Sequence, residues 1–271
     1  MRKQPVLAVR PGNLRTPQNT INMLHNLRTA FGLLTTLPFG MPEDWQPGDS
    51  GRAGVWYPLV GLVIGGLTWL AWRGLALVSP PLVTGALALL VWVALTGGLH
   101  LDGLADCCDG LLASTTPEKR LEIMKDPRLG TFGGTGLLLA LLLKFAALSS
   151  LTVAASPGLF LAASLGRWCL LPAGFMPLAR SGGNVPYSGM GADFASGLRR
   201  GAIFVGAALP LGLVIVLGWP GVFAALAGLL AAASVLGLAK ARINGVTGDV
   251  FGAVVEVAET AILLVFTLGA Q

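Results

Sequence analysis

Seven apolar stretches of bilayer-spanning length limit the fold of this chain before any motif is considered. They run roughly over 55–78, 81–99, 133–155, 157–180, 201–218, 221–240 and 250–269. A hydrocarbon core about 30 Å thick takes ~20 residues of helix. Inside it the backbone must satisfy itself, so runs of this length read as helices. Only 11% of the residues are charged and 54% are hydrophobic, far from a soluble average. The expectation is an all-α polytopic membrane protein of about seven transmembrane helices. Residues 1–20 read as a polar flexible leader with Pro5, Pro11 and Pro17, and 21–271 as a single integral membrane domain. Between them, Leu24, Leu27, Phe31 and Leu34 recur at helical spacing before Pro38. That stretch is too short to span and reads as an amphipathic helix, interfacial or re-entrant.

The linkers alternate in kind. Those at 79–81, 156–158 and 218–221 are short and uncharged, while 100–132, 181–200 and 241–249 are long or charged. With seven spans, all the charged linkers and the basic N-terminal segment fall on one face. The positive-inside rule assigns that face to the cytoplasm of an inner membrane. The net charge of +5 is therefore a topology signal, and no nucleic-acid partner is expected. The partner is the lipid bilayer. Three cysteines, two adjacent, make no disulfide framework.

Chemistry concentrates in the first charged linker. Asp102, Asp106 and Asp109 are spaced four and three apart, which on a helix places them within about 60° of one another. Carboxylates with no cation among them suit a hard dication, Mg2+ first. The competing reading is a solvated helix face. Shortly after come Lys125, Arg128 and Gly130. Cations beside a backbone that can approach closely make a cradle for phosphates, or equally a positive-inside flank. A second acidic set is Asp249, Glu256 and Glu259, the glutamates inside the last apolar run. Intramembrane acids need a partner or a task. Arg167 and Lys144, also within apolar runs, are the partners available.

The acids, the cations and the glycine loop together suggest phosphoryl transfer by positioning and charge neutralisation. A cation-coupled transporter using Lys144, Arg167, Glu256 and Glu259 is the alternative. The crowding of acids at a span end, away from the midplane, favours an enzyme.

The run Thr96-Gly-Gly-Leu-His100-Leu-Asp102-Gly-Leu-Ala-Asp106, with Asp109-Gly110, resembles the signature of the cobalamin synthase family (adenosylcobinamide-GDP ribazoletransferases). So do Leu121 to Asp126 with Arg128 to Thr131, Tyr57-Pro58 with Gly61, and Gly245 to Asp249 with Gly252, Ala253 and Glu256. The likeness extends from Leu37 to Glu259. One departure is Ser188 after Tyr187, where the family usually carries Arg; Arg180 is the candidate substitute. The resemblance implies a Mg2+-dependent transferase that joins adenosylcobinamide-GDP to alpha-ribazole, or its 5'-phosphate, with release of GMP. Asp102, Asp106 and Asp109 would then hold the metal, and Lys125, Arg128 and Gly130 the phosphates. His100, Asp249, Glu256 or Glu259 would take the hydroxyl proton. On a regular helix His100 points about 160° from Asp102, which favours the C-terminal acids. A homo-oligomer is left open.

Overall fold

The computed structural model describes residues 18–181, 185–186 and 188–268. In chain order the helices are α1 (Gln18–Leu34), α2 (Asp49–Ala53), α3 (Tyr57–Leu75), α4 (Pro81–Thr96), α5 (Leu99–Leu112) and α6 (Pro117–Ile123). They continue with α7 (Thr131–Ser150), α8 (Gly158–Trp168), α9 (Leu170–Ala173), α10 (Met190–Gly197), α11 (Arg200–Ile243) and α12 (Gly248–Val265). A 3-10 turn at Gly54–Trp56 joins α2 to α3. Two short strands, β1 (Arg180–Ser181) and β2 (Val185–Pro186), pair antiparallel. Apart from this two-residue pairing, the regular structure of the described residues is helical, as the apolar runs require. The leader to residue 17 and Tyr187 lie outside the described residues.

Among the described residues, three helical stretches are long and apolar enough to cross a membrane: Asp49–Leu75, Thr131–Ser150 and Arg200–Ile243. A fourth candidate is α4 taken with α5, which are bent 92° apart. The remaining expected spans differ from the sequence reading in instructive ways. The run at 157–180 is helical only to Ala173; α8 and α9 together stay short of the span length. The runs at 201–218 and 221–240 form one helix of 44 residues, broken at Gly218 (φ 63°, ψ −145°). Unbroken, it would measure about 66 Å, more than twice a bilayer core of ~30 Å. Glycine tolerates that positive φ, and Pro220 follows at the start of the second half.

Small residues set the packing. A Cβ on Gly61 would strike the carbonyl of Ala163, and one on Gly65 would lie 2.5 Å from that of Leu159. The i, i+4 pair of glycines on α3 therefore lets α8 approach backbone to backbone, the usual device where no hydrophobic force separates helix from lipid. Ser164 Oγ donates to the Pro58 carbonyl at 2.9 Å across the same contact. Gly85 on α4 gives α7 a similar approach at Ser149, whose backbone nitrogen would lie 2.7 Å from its Cβ. Trp72 Nε1 ties α3 to α7 through the Leu148 carbonyl at 2.9 Å.

The centre of the bundle is charged. Lys144 Nζ on α7 lies 2.5 Å from Glu256 and 2.5 Å from Glu259, both on α12. Arg167 on α8 pairs with the other oxygen of Glu259. All four side chains are buried, Arg167 and Glu259 completely. Lys144 also lies 5.3 Å over the ring of Trp92 on α4. The pairing open to the intramembrane glutamates in the sequence is the one adopted. It explains how α12 is buried along most of its length despite three acids. Removing one member strands the others. Glu259→Ala is expected to cost about 3–5 kcal/mol, read as a lower unfolding midpoint in detergent. Replacing all four charged residues by Met should cost less than that single change.

Candidate active site

α5 and α12 cross where both carry glycine. A Cβ on Gly103 would lie 2.8 Å from the Asp249 carbonyl oxygen, and one on Gly252 would lie 3.0 Å from that of His100. This crossing sets the first turn of α5 against the first turn of α12. Asp102 and Asp249, distant in sequence, consequently line one cavity of about 240 Å³ together with His100. Thr247 caps α12: its Oγ1 accepts from the Val250 amide at 3.3 Å and donates to Asp249 at 3.2 Å.

The loop before α10 closes the cavity from another side. A Cβ on Gly191 would sit 2.6 Å from the Gly248 amide nitrogen, so the starts of α10 and α12 abut. Their amide ends present partial positive charge beside the acids. Part of the lining is aromatic. Tyr57 stacks on Phe194 with centroids 5.4 Å apart and planes 12° apart, and Phe194 meets Phe251 edge-on at 5.5 Å. Nothing in the spacing of Phe194 or Phe251 marked them in the sequence. Asp193 was missed as well. It accepts from the Gly48 amide at 2.5 Å and from the Ser50 hydroxyl, fixing the loop before α3 to α10.

The three aspartates of α5 divide by role. Asp102 is exposed at the cavity and Asp106 half-buried one turn further on. We read α5, turned 92° from α4, as lying outside the spans. Partial burial and the negative charges of Asp249, Asp102 and Asp109 push the Asp106 carboxyl up to about 7. Asp109 faces away along the helix. One of its oxygens accepts from the Gly130 amide at 2.7 Å and the other from the Gly133 amide at 2.8 Å. It thereby caps the N-terminus of α7 from outside that helix.

The remaining candidates are placed as follows. His100 is only 4% exposed. Burial, with Arg167 and Lys144 nearby, holds its imidazole well below the ordinary value and hence neutral. Glu256 and Glu259 lie in the buried ion cluster and not among the cavity's walls. Arg128 is 86% exposed in its side chain and bound bidentately to Asp126 at 2.6 and 2.9 Å; that pair holds Asp126 down at about 2. Lys125 is exposed on the same loop. Neither cation lines the cavity, and Gly130 spends its amide on Asp109.

Among the described residues, no three His, Cys, Asp or Glu side chains converge closely enough to enclose an ion. Mg2+ is commonly held by one or two carboxylates together with phosphates and water. Asp102 and Asp249 line the cavity, and Asp106, whose carboxyl is raised by burial and then by their charge, lies near; all three offer oxygen donors only. That donor set fits a hard dication bound along with a phosphorylated substrate.

The described residues thus form a helical protein with helices long and apolar enough to cross a membrane and an acidic cavity where two helices start. The sequence itself matches the cobalamin-5-phosphate synthase family over residues 26–267, and the chain belongs to that family. It is 39% identical over 260 residues to the adenosylcobinamide-GDP ribazoletransferase of Desulfitobacterium hafniense, covering 91% of this chain and 96% of the relative. The protein of that name from Stutzerimonas stutzeri is 42% identical over 246 residues, 88% of this chain and 96% of its own. No solved structure matches.

Asp109→Ala removes the acceptor of two amides. Left unpaired, they should cost about 1–3 kcal/mol, seen as faster hydrogen exchange at Gly130 and Gly133 with the α8–α12 amides unchanged.

Proposed function

We propose that the chain is an adenosylcobinamide-GDP ribazoletransferase: it transfers the adenosylcobinamide-phosphate group to alpha-ribazole, or its 5'-phosphate, and releases GMP. The observation that carries this is the convergence of Asp102, Asp249 and two helix N-termini on one cavity, in a chain of this family. The transporter reading loses its basis, because Lys144, Arg167, Glu256 and Glu259 neutralise one another in a closed cluster.

In this reading the hydroxyl oxygen of the acceptor attacks the phosphorus that bears the cobinamide. The bond from that phosphorus to the bridging oxygen breaks, and GMP departs with the electron pair. The hydroxyl proton goes to Asp249, which lines the cavity, whereas Glu256 and Glu259 are taken up by the ion cluster. Asp102 and Asp106, with Asp249 beside them, would hold Mg2+, which when bound would supply positive charge to neutralise the diphosphate. Asp109 fixes α5 against α7 and so sets the direction in which Asp106 points. The amide ends of α10 and α12 meet the phosphate oxygens. Lys125 and Arg128 draw the anionic nucleotide from the water phase. His100 stays uncharged and does not exchange the proton.

The same reading assigns the membrane course. Crossings at α3, α4, α7, α8 with α9, both halves of α11, and α12 make seven in an inner membrane. The mutual neutralisation of its glutamates makes α12 compatible with a crossing. All charged linkers, and the cavity, then face the cytoplasm.

Purified protein incubated with adenosylcobinamide-GDP, alpha-ribazole and Mg2+ should release GMP and form the joined corrinoid, both resolved by chromatography. No GMP under any Mg2+ concentration would sink the transferase assignment. Asp106→Asn keeps the side-chain volume and loses the charge. GMP formation should fall by at least about a hundredfold, with protein yield unchanged. A near-normal rate with an unshifted Mg2+ dependence would remove Asp106 from the site. Single cysteines at Ser114, Ser188 and Thr247, in a background without native thiols, should react with an impermeant maleimide only from the cytoplasmic side.

A further inference from the structure

The cavity between α5, α10 and α12 has an unlike lining. Asp102, Asp249 and the starts of α10 and α12 supply its acids and amides. Leu33, Leu34, Leu170 and the edge-on pair Phe194 and Phe251 supply its apolar part. His100 also lines it, 4% exposed, and its Nδ1 is buried with no hydrogen-bond partner. An orphaned ring nitrogen in a cavity wall is costly unless a ligand meets it. The volume of about 240 Å³ lies just below the ~300–1,000 Å³ of pockets for drug-sized ligands. It suits one planar base with one sugar and excludes a macrocycle. The larger groove of about 680 Å³ beside α1, the 44–56 segment and the start of α11 shares no lining residue with it, the two adjoining along the chain at Ser50–Gly51 and Trp56–Tyr57.

We propose that this inner cavity is the acceptor-nucleoside subsite. The planar heterocycle lies against Phe194 and Phe251 with Leu33, Leu34 and Leu170 around it, His100 hydrogen-bonds the nucleoside, and the ribose hydroxyl reaches Asp102 and Asp249. A flat aromatic ligand gains from such a wall by stacking and by burial of apolar area. A wall without a donor–acceptor code, apart from His100, tolerates different planar bases and selects for shape. The proposal rests on the transferase reading for the identity of the nucleoside.

Two measurements test it. In steady-state assays, His100→Leu should raise KM for alpha-ribazole roughly tenfold, the effect of one lost buried hydrogen bond. His100→Asn places an amide where Nδ1 stood and should restore it to within about threefold. KM for adenosylcobinamide-GDP should stay within about twofold in both. The second measurement leaves the core untouched. Ser188 lines the cavity and is exposed, so Ser188→Cys should react with a maleimide, read at that position by mass spectrometry. Alpha-ribazole alone, without donor or Mg2+, should slow that reaction. Protection by adenosylcobinamide-GDP alone, or by neither compound, would overturn the assignment, as would a donor KM that rises with the acceptor's in His100→Leu. Protection by alpha-ribazole in a protein that releases no GMP would uphold the subsite and sink the transferase reading, so the two failures are separable.

Discussion

The cluster of Lys144, Arg167, Glu256 and Glu259 is the constraint on which the rest of the structure depends. Charges taken out of water cost several kcal/mol each, so α12 can occupy the middle of the bundle only with α7 and α8 placed to supply cations. That requirement fixes the rotation of α12 about its own axis. Once the glutamates face Lys144 and Arg167, Gly252 faces α5 and Asp249 faces the cavity. The ion cluster is thus a framework that aims the chemistry, at one remove from it.

Close helix approach then does what long side chains cannot. Gly103 and Gly252 bring two acidic first turns together at backbone distance. Residues of ordinary size there would separate the helices and the carboxylates with them. Asp109 acts at the far end of α5 in a complementary way. By accepting the amides of Gly130 and Gly133, it anchors α5 to the start of α7, the helix that carries Lys144. Arg120 completes the brace, donating to the Gly110 and Leu111 carbonyls at 3.1 and 2.7 Å where α5 ends. Cavity, helix α5 and ion cluster are in this way one mechanical unit.

The acidic face read from the spacing at 102–109 is helical as expected, yet its three members are not equivalent. Helical periodicity places residues on a face; it does not say what lies opposite. Asp102 meets the cavity, Asp109 meets a helix start, and Asp106 lies between them under their repulsion. By composition the loop with Arg128 reads as a phosphate cradle or as a positive-inside flank. Its cation is paired at the surface and its glycine amide taken by Asp109, because local ion pairing and capping compete for the same groups a ligand would use.

By itself the sequence determined the class of fold, because apolar runs of bilayer length leave only helices. It also determined the family and the acids at issue, because Asp102, Asp106 and Asp249 sit in local patterns of glycine and carboxylate. It supplied the partners of Glu256 and Glu259 as alternatives, since few cations lie in apolar runs. Tertiary structure alone decided which alternative holds, which acids share a cavity, and that Phe194, Phe251 and His100 wall it. Those residues stand on different helices or at different depths. Their meeting depends on where glycines let backbones touch, and that is a property of pairs of segments that no single segment carries.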